Sequence, residues 1–446
     1  MGFELTSGSF LVSLSIDRIS PTKSAKLGPK SLSVNPKSSG LSVLSWDTIG
    51  KRVSLGVLKG ALFDYQKKQT QGGEPFRRVM QRIPTARPSW DDEMRNAAME
   101  TLDSRNWVKG DKGKRFGLAF AEHCGALSAA PCQNGSSSLW AALRLLGIGE
   151  ADEVIVPSFT FIASATAIPL VGATPVFVDI EEDYWCLDVD AVERAITSRT
   201  KAVIGVHIFG QPYDPRLIEL CKSKNIALIE DAAQAHGATQ ISVSGDKLVA
   251  GSMGDVGCFS FFPSKNMAVG GEGGMLTTTN PKLTEKVKAI TNHGRTPNLE
   301  SMELGSNLRM SEVSAAIGLV QLSNLDKWVE RRREIASKYN KNFDNHPAVS
   351  IPKVRKGANH AWHQYCLFTD KSQDLIKHLD ENGIDSRIYY SIPCHHQAVF
   401  SNHKQFEIPL EETDRVAGNL VAIPVMHELT EQEVDHIIST VLSFKD

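Results

Sequence analysis

The chain has neither an excess of one charge nor a long apolar run. Its 49 Lys and Arg residues face 51 Asp and Glu residues, which gives a formal net charge of −2. Proteins that coat nucleic acid or an anionic membrane need a basic face, so this balance argues against both kinds of partner. No uninterrupted apolar stretch reaches the roughly 18 residues of a transmembrane helix. The 446 residues, of which 41% are hydrophobic and 22% charged, are ordinary for a soluble globular protein of two or three domains.

Paired cysteines are also missing. The seven cysteines are scattered and none forms a Cys-x-x-Cys pair, so we expect no disulfide framework and no zinc knuckle. Reduced, buried thiols are typical of a cytoplasmic protein. Only Cys394-His395-His396 hints at metal binding. Three adjacent residues cannot all face one ion on a regular helix or strand, so we expect no metal site there.

The first 83 residues differ in composition from the rest of the chain. Up to Leu62, eight basic residues accompany only three acidic ones, and serine is abundant. A transit peptide is one interpretation of a segment rich in serine and poor in acidic residues, but most of the bases are lysine rather than arginine. A secretory signal fits less well, since the apolar patch Phe10–Leu14 is short and no basic residue precedes it. The favoured interpretation of residues 1–83 is a poorly ordered leader.

From Pro84 onward, short apolar runs alternate with helical periodicity. This alternation predicts an α/β fold with a large, mostly parallel central sheet flanked by helices. We assign residues 84–330 to this large domain and residues 331–446 to a smaller C-terminal α+β domain. The predicted strands of the large domain are Glu153–Pro157, Pro175–Asp179, Ala202–His207, Ile226–Glu230, Val256–Phe261 and Met275–Thr278. The predicted helices include Asp91–Leu102, Phe116–His123, Phe161–Val171, Asp188–Thr197, Pro215–Lys224, one starting at Ser311, Leu325–Phe343, Ser372–Glu381, Glu411–Val421 and Thr430–Leu442.

Two short motifs each have a chemical and a purely structural interpretation. Gly135-Ser136 opens a helix, where free backbone N–H groups and the helix dipole can hold a phosphate, although serines at this position also serve as N-caps. Asp231 follows an apolar strand, and ligands of open α/β sheets bind at the carboxyl ends of strands. A helix N-cap explains an aspartate there equally well.

A third motif places Lys265 after an apolar, aromatic strand and before the glycine-rich run Gly270–Gly274. Desolvation in such surroundings disfavours the ammonium form and exposes a nucleophilic amine. A surface lysine is the alternative, but it does not explain the crowded glycines, which let a bulky ligand approach the backbone. The segment Gly305–Arg309 indicates only that a helix begins.

Taken together, these motifs match the requirements of pyridoxal phosphate (PLP). This cofactor needs a lysine for its aldehyde, an acid for its ring nitrogen, a flat group on its ring face and a phosphate cup. The chain offers Lys265, Asp231, Phe161 or Phe159, and a cup formed by Gly135-Ser136 with Ser260.

The order of these motifs resembles the DegT/DnrJ/EryC1/StrS sugar aminotransferases from about Pro84 to the C-terminus. The segments that carry the resemblance are Asn134–Ser136, Val154–Phe161, Gly172–Asp179, Gly210–Pro212, Glu230–Gly237 and Phe259–Asn266. The resemblance implies a fold-type I PLP-dependent aminotransferase that forms a homodimer. It also implies PLP transamination of a keto-sugar or keto-cyclitol by a ping-pong mechanism, with glutamate or glutamine as amino donor.

The resemblance further implies roles for individual residues. Lys265 would carry the cofactor and shuttle the proton, Asp231 would pair with the ring nitrogen, and Gln234 would bond the ring hydroxyl. Phe161 would stack on the ring. The phosphate would be held by Gly135, Ser136 and Ser260, together with Asn307 from the neighbouring subunit. His395 and Tyr389 are candidate substrate contacts, for which a packing role is an equal alternative.

Several substrates and functions stay open at this point. The usual acceptors of the family are nucleotide-linked 4-keto-6-deoxy or 3-keto sugars, whereas Gly72–Pro75 resembles the branch that aminates scyllo-inosose. Met267–Val269 departs from the Leu-Gly that usually follows the lysine, which could reshape the acceptor pocket. Some members dehydrate instead of transaminating and carry histidine in place of Lys265, and others are assigned regulatory, non-catalytic roles.

Overall fold

The computed structural model of the chain describes residues 82–295, 298–402 and 409–445. The leader predicted for residues 1–83, except for its last two residues, and the Gly72–Pro75 motif lie outside the described residues. Within the described part, no helix is both long and apolar enough to cross a membrane. All seven cysteines are free and buried, as expected for reduced thiols.

The strands are short, and three sheets account for all that are described. In chain order they are β1 (Ser128–Cys132), β2 (Glu153–Pro157), β3 (Thr174–Val178), β4 (Thr200–Val206), β5 (Ala227–Asp231), β6 (Thr239–Ile241), β7 (Lys247–Val249), β8 (Val256–Ser260), β9 (Gly274–Thr278), β10 (Ala358–Asn359), β11 (Tyr365–Phe368), β12 (Arg387–Ile388) and β13 (Leu420–Ile423).

The described helices cover the sheets and connect the strands. They are α1 (Asp92–Asp103), α2 (Asp111–Cys124), α3 (Gly135–Leu145), α4 (Ile162–Thr166), α5 (Val189–Ala195), α6 (Arg216–Lys224), α7 (Thr284–Ile290), α8 (Glu312–Phe343), α9 (Ser372–Glu381), α10 (Glu411–Val416) and α11 (Glu431–Ser443). Single 3₁₀ turns add Pro169–Val171, Ile208–Gly210, Pro281–Leu283, Cys394–His396 and Ala398–Phe400.

Seven strands form the large sheet, in the spatial order β1-β9-β8-β5-β4-β2-β3. Strands β8, β5, β4, β2 and β3 pair in parallel, and β9 runs antiparallel to both of its neighbours. The fold class expected from the sequence is therefore confirmed. Val154, Ile155 and Val156 in β2 are fully buried, because helices cover both faces of a parallel sheet.

A small antiparallel sheet, β11-β13-β12, lies in the C-terminal part of the chain, and β10-β6-β7 form a third sheet. Most buried apolar side chains form one large cluster around the seven-stranded sheet and a second cluster around the C-terminal sheet, and Met94, Ala98 and Ile317 form a small third cluster. Ile83 belongs to the second cluster, and its amide donates to the Gly383 carbonyl at 2.9 Å.

Helix α8 has 32 residues and contributes to both clusters. The sequence pattern predicts two helices here, one from Ser311 and one over Leu325–Phe343. The structure instead has a single helix, capped by the Ser311 side chain. The helix continues across the boundary predicted between residues 330 and 331. The division into domains 84–330 and 331–446 stays a prediction.

Two predicted helices are wrong in part. Phe161–Val171 is broken into α4 and a 3₁₀ turn, because Pro169 has no N–H to continue the helical hydrogen bonds. Glu411–Val421 ends as a helix at Val416, and the chain then turns at Gly418 (φ 81°) into β13.

Candidate active site

The parallel strands place the predicted Asp231 beside the strand that leads to Lys265. Asp231 is the last residue of β5 and lies opposite Cys258 of β8. Two residues later β8 ends at Ser260, and the chain enters the loop that carries Lys265 before it returns as β9. The carboxyl ends of two neighbouring parallel strands thus meet at one edge of the sheet, where ligands of such sheets bind.

Helix α3 brings its N-terminus to the same edge. Its N-cap is Asn134, whose side chain accepts from the Ser137 amide at 2.8 Å, so the serines of this turn are not the cap. A Cβ atom on Gly135 would lie only 2.8 Å from the Cβ of Ser260. Only glycine allows the start of α3 to approach the end of β8 this closely, which leaves backbone N–H groups at an anion-binding position.

Lys265 is half-buried in the loop, and its amide donates to the Phe262 carbonyl at 2.8 Å. Burial lowers the pKa of its ammonium to about 8, and the negative charge of Asp231 partly opposes this shift. A lysine with this pKa has a substantial fraction of free amine at neutral to mildly alkaline pH, the form that attacks a carbonyl carbon.

The Asp231 carboxylate is 7% exposed and is held on both oxygens. Ser164 Oγ donates to Oδ2 at 2.7 Å, and the Ala233 amide donates to Oδ1 at 3.2 Å. These bonds fix the carboxylate at the cavity wall. The explanation of Asp231 as a helix N-cap does not apply, because no described helix begins next to it: the next α-helix along the chain, α7, begins at Thr284.

Gln234 is held between two parts of the chain. Its Oε1 accepts from the Phe209 amide at 2.5 Å, and its Nε2 donates to the Tyr390 hydroxyl at 3.0 Å. Phe209 has a φ of 57°, a conformation that is rare for a residue with a side chain. The hydrogen bond from its amide to Gln234 supports this conformation next to the cavity.

Of the two candidate aromatic residues, Phe161 faces the cavity. Its side chain is 56% exposed and lines the cavity wall. Phe159 is 1% exposed and makes edge contacts with Phe209 and Tyr390 instead. Phe159 is therefore a core residue, and Phe161 is the aromatic residue that a planar ligand would meet.

Together these residues line one cavity of about 480 Å³. Eight predicted site residues lie in its wall: Gly135, Ser136, Phe161, Asp231, Gln234, Ser260, Lys265 and Tyr389. A larger depression of about 740 Å³ lies where β2, β5 and β8 begin, and none of the predicted residues lines it.

Two predicted residues are not in the cavity wall. Asn307 is exposed and its main chain bridges to Asn292, so a role at this site would require a second subunit. His395 is fully buried, with its Nδ1 2.6 Å from Ser158 Oγ and its ring packed near Phe177. The structure therefore does not support His395 as a contact for a ligand in this cavity.

The cavity wall also contains residues that were not predicted from the sequence as site residues, among them Glu272, His363, Arg387 and Tyr390. Burial and the nearby Lys265 charge hold the pKa of His363 well below its usual value, so this imidazole is neutral. Glu272 stands within the glycine-rich run, which was noted for its glycines alone. Arg387 and Tyr390 lie within two residues of Tyr389, the only residue of this segment that was selected.

These residues fit the chemical requirements of PLP. The amine of Lys265 has a lowered pKa, the fixed Asp231 carboxylate can face a ring nitrogen, and the glycine-dependent contact at Gly135 leaves room for a phosphate group.

A known protein family matches most of the chain. Residues 88–442 match the DegT/DnrJ/EryC1/StrS aminotransferase family. The chain is 36% identical over 351 residues to the UDP-N-acetyl-3-dehydro-alpha-D-glucosamine 3-aminotransferase of Acidithiobacillus ferrooxidans, which covers 78% of this chain and 93% of the relative.

Solved structures are similar over nearly their whole length. The S. venezuelae protein DesV, solved in complex with a ketimine intermediate, has a TM-score of 0.75 and 34% identity, with 79% of this chain and 95% of DesV covered. The PLP form of the putative sugar aminotransferase Spr1654 from Streptococcus pneumoniae has a TM-score of 0.74 and 25% identity, with coverages of 81% and 98%.

Proposed function

Because the chain belongs to the DegT/DnrJ/EryC1/StrS aminotransferase family, we propose that it transfers an amino group from glutamate or glutamine to the keto group of a nucleotide-linked sugar, with PLP as cofactor. The observation that carries this proposal is the pairing of Lys265, whose amine has a lowered pKa, with the fixed carboxylate of Asp231 in one cavity. The similarity to a nucleotide-sugar aminotransferase supports the substrate class.

In this proposal Lys265 holds the cofactor covalently, and the start of α3 at Gly135-Ser136, with Ser260, binds its phosphate. When bound, PLP supplies an aldehyde carbon that accepts an amino group and a ring that takes up electrons. Asp231 would hold the ring nitrogen in its protonated form, because a carboxylate beside this nitrogen favours the charged form. Gln234 bonds the ring hydroxyl, and Phe161 covers one face of the ring.

The second task of Lys265 is proton transfer. When its amine is free, Lys265 would act as a base at the cavity wall and move a proton between the substrate carbon and the aldehyde carbon of the cofactor. A lysine with a pKa of about 8 serves in both directions, since both protonation states are populated near neutral pH. His363, which is neutral and buried beside Lys265, adds no competing positive charge to this region.

The presence of Arg387 in the cavity wall supports the proposal of an anionic substrate. Its guanidinium group lines the cavity together with Tyr389, on the side of the C-terminal sheet. A guanidinium group pairs with carboxylate and phosphate oxygens alike, so Arg387 can hold the carboxylate of the amino donor and the diphosphate of the acceptor in turn. The nucleotide-linked sugar is proposed ahead of scyllo-inosose because the relative that is 36% identical to this chain is a nucleotide-sugar aminotransferase.

We also propose a homodimer in which Asn307 reaches the phosphate site of the partner. Three apolar side chains just before it are strongly exposed: Leu299 at 75%, Met302 at 64% and Leu304 at 76%. An exposed apolar group of this kind is typical of a protein interface. A dimer that buries this segment would also carry Asn307 to the interface.

The first test is the absorbance spectrum of the purified chain. A band from lysine-bound cofactor that disappears when glutamate or glutamine is added, and is absent in Lys265→Ala, supports the proposal. Wild-type protein that takes up no PLP would contradict it and favour a non-catalytic regulatory role. A bound cofactor that transfers no amino group but eliminates water from a sugar substrate would instead indicate a dehydratase.

The second test concerns the acceptor. After conversion by the amino donor, the protein is offered 4-keto-6-deoxy and 3-keto nucleotide sugars and scyllo-inosose in parallel, and the aminated products are measured. We expect amination of a nucleotide sugar and a rise in its KM in Arg387→Ala. Turnover of scyllo-inosose alone would refute the proposed substrate class while leaving transamination intact.

The third test uses mixed subunits. Lys265→Ala and Asn307→Ala chains are unfolded and refolded together in equal amounts. If Asn307 acts on the partner's site, each mixed dimer regains one intact site, so about a quarter of the wild-type activity returns. If no activity returns beyond the average of the two separate variants, Asn307 does not act across subunits.

A further inference from the structure

Two histidines and an aspartate converge beyond the carboxyl ends of β2 and β3, next to Ser158 and Asp179. His395 Nε2 lies 3.8 Å from Asp414 Oδ1, and His396 Nδ1 lies 3.9 Å from the same oxygen. One nitrogen from each ring and the carboxylate oxygen all lie within 4.8 Å of one another. We call these three residues the His-His-Asp cluster.

The sequence predicts no metal site formed by the three adjacent residues Cys394, His395 and His396. Cys394 is not involved, since its thiol donates to the Thr160 carbonyl at 3.5 Å. The two histidines lie on a 3₁₀ turn, where the ring centroids come within 3.9 Å, and the third group comes from α10. Adjacent histidines can therefore face one point.

The side chain of His395 is fully buried, and its Nε2 has no hydrogen-bond partner. Its other ring nitrogen, Nδ1, lies 2.6 Å from Ser158 Oγ, which also accepts from the His395 amide at 3.1 Å. With Nδ1–H donating to this hydroxyl, the Nε2 lone pair is directed at the cluster. Metal-bound histidines are commonly fixed by such a bond from the second ring nitrogen.

The backbone around the cluster is tied to the ends of two strands. Ser158 directly follows β2, and its carbonyl accepts from the Cys394 amide at 2.9 Å. Asp179 directly follows β3 and caps α10 by accepting from the amides of Glu412 and Thr413 at 2.9 and 2.8 Å. The turn that carries both histidines and the helix that carries Asp414 are thus both anchored, so the site needs little ordering to bind an ion.

We propose that the His-His-Asp cluster binds a divalent transition-metal ion, with Zn²⁺ as the fitting ion and water completing its coordination. A tetrahedral ion with ligand distances of about 2.0–2.1 Å needs ligand atoms about 3.3 Å apart. The two nitrogen–oxygen distances would each shorten by roughly half an ångström, and the distance between the two nitrogens by at most about 1.5 Å. Two imidazoles and one carboxylate select such an ion over Mg²⁺ or Ca²⁺, which prefer oxygen ligands.

A bound ion would crosslink the Cys394–His396 turn to α10. The side chains of His396 and Asp414 are 44% and 38% exposed, which gives the ion a path from solvent. The site is separate from the cavity around Lys265, since no residue of the cluster lines that cavity. The proposed role of this ion is structural.

The test is calorimetric titration of the tag-free, cofactor-loaded protein with Zn²⁺, with Mg²⁺ as the comparison ion. We expect one Zn²⁺ per chain, no binding of Mg²⁺, and a rise in Tm of about 3–5 °C at a hundred-fold excess over Kd. His396→Ala and Asp414→Ala change exposed ligands and should fold, and each should weaken Zn²⁺ binding at least about ten-fold.

The matched control is His293→Asn, which removes an exposed histidine outside the cluster at a position with a φ of 62° that asparagine tolerates. This variant should bind Zn²⁺ as the wild type does. Binding that is unchanged in His396→Ala and Asp414→Ala, or no Zn²⁺ binding by the wild type, would overturn the proposal.

Discussion

The contact between Gly135 and Ser260 permits a sharp test of the phosphate cup. In Gly135→Ala the new Cβ would lie 2.8 Å from the Ser260 Cβ, 3.4 Å from its Cα and 3.5 Å from the Phe259 carbonyl oxygen. Only the first of these distances is too short for carbon atoms to tolerate, and it involves an atom next to the backbone. Either α3 or the end of β8 must therefore move. Forced overpacking of this kind costs about 1–3 kcal/mol.

Because the displaced segments form the proposed phosphate site, the loss should appear in cofactor affinity as well as in stability. We expect the Kd of PLP to rise about 5- to 150-fold, which corresponds to the same 1–3 kcal/mol. Urea unfolding of the cofactor-free protein and fluorescence titration with PLP measure the two effects. Gly149→Ala is the control, since its nearest neighbour, the Val171 carbonyl oxygen, is 3.7 Å away and its φ is not positive.

A double-mutant cycle isolates the contact itself. Ser260→Gly removes the atom that the new methyl group meets, so Gly135→Ala should cost less in the Ser260→Gly background than in the wild type. A difference of about 1 kcal/mol in stability is expected. If the two changes are additive, or if Gly135→Ala behaves like Gly149→Ala, the close approach of α3 to β8 is not what the glycine provides.

Three further outcomes follow from the site and its surroundings. The rate at which PLP attaches to the cofactor-free protein should rise with pH around a midpoint of about 8. Asp231→Asn should move this midpoint to lower pH, because the carboxylate raises the pKa of Lys265. An unchanged midpoint would argue against this coupling. Glu230 is fully buried, accepts from three backbone amides and pairs with His207. Glu230→Ala should therefore lower the free energy of unfolding by about 3–5 kcal/mol, as measured by urea unfolding. The control Glu122→Ala, at an exposed position, should lower it by less than about 0.5 kcal/mol. Phe161→Ala should leave stability within about 0.5 kcal/mol, since the ring is exposed, yet weaken PLP binding; a large loss of stability would instead assign the ring to the core.

Much of the large sheet could be predicted because its central strands are buried on both faces. The bounds of β2 are those predicted, β5 is shifted by one residue at both ends, and β8 begins at the predicted residue and ends one residue earlier. Strand β1 was missed, because its sequence is Ser-Ala-Ala-Pro-Cys and gives no apolar run. Its place at the edge of the sheet, beside β9 only, allows a proline that a central strand would exclude.

The cavity could be predicted where a residue follows a strand or begins a helix, as Asp231 and Gly135 do. Residues that reach it by tertiary packing gave no local signal. His363 lies in the cavity wall directly after Trp362, which has a φ of 47°. Tyr390 is held there by its hydrogen bond with Gln234, which is 156 residues away in sequence. Asp414 likewise could not be linked to His395, because only the packing of α10 on the end of β3 brings them together.

Helix α8 limits how relatives of this chain can be recombined. Its first half packs around the large sheet through Ala315, Leu325 and Val329, and its second half packs in the C-terminal cluster through residues such as Ile335 and Tyr339. A chimera joined before Ser311, or in the loop after Phe343, would pair half of one parent's helix with the other parent's core. To transplant the C-terminal part, and Arg387 and Tyr389 with it, the crossover belongs between Val329 and Ile335, so that each half of the helix stays with the core that it packs against.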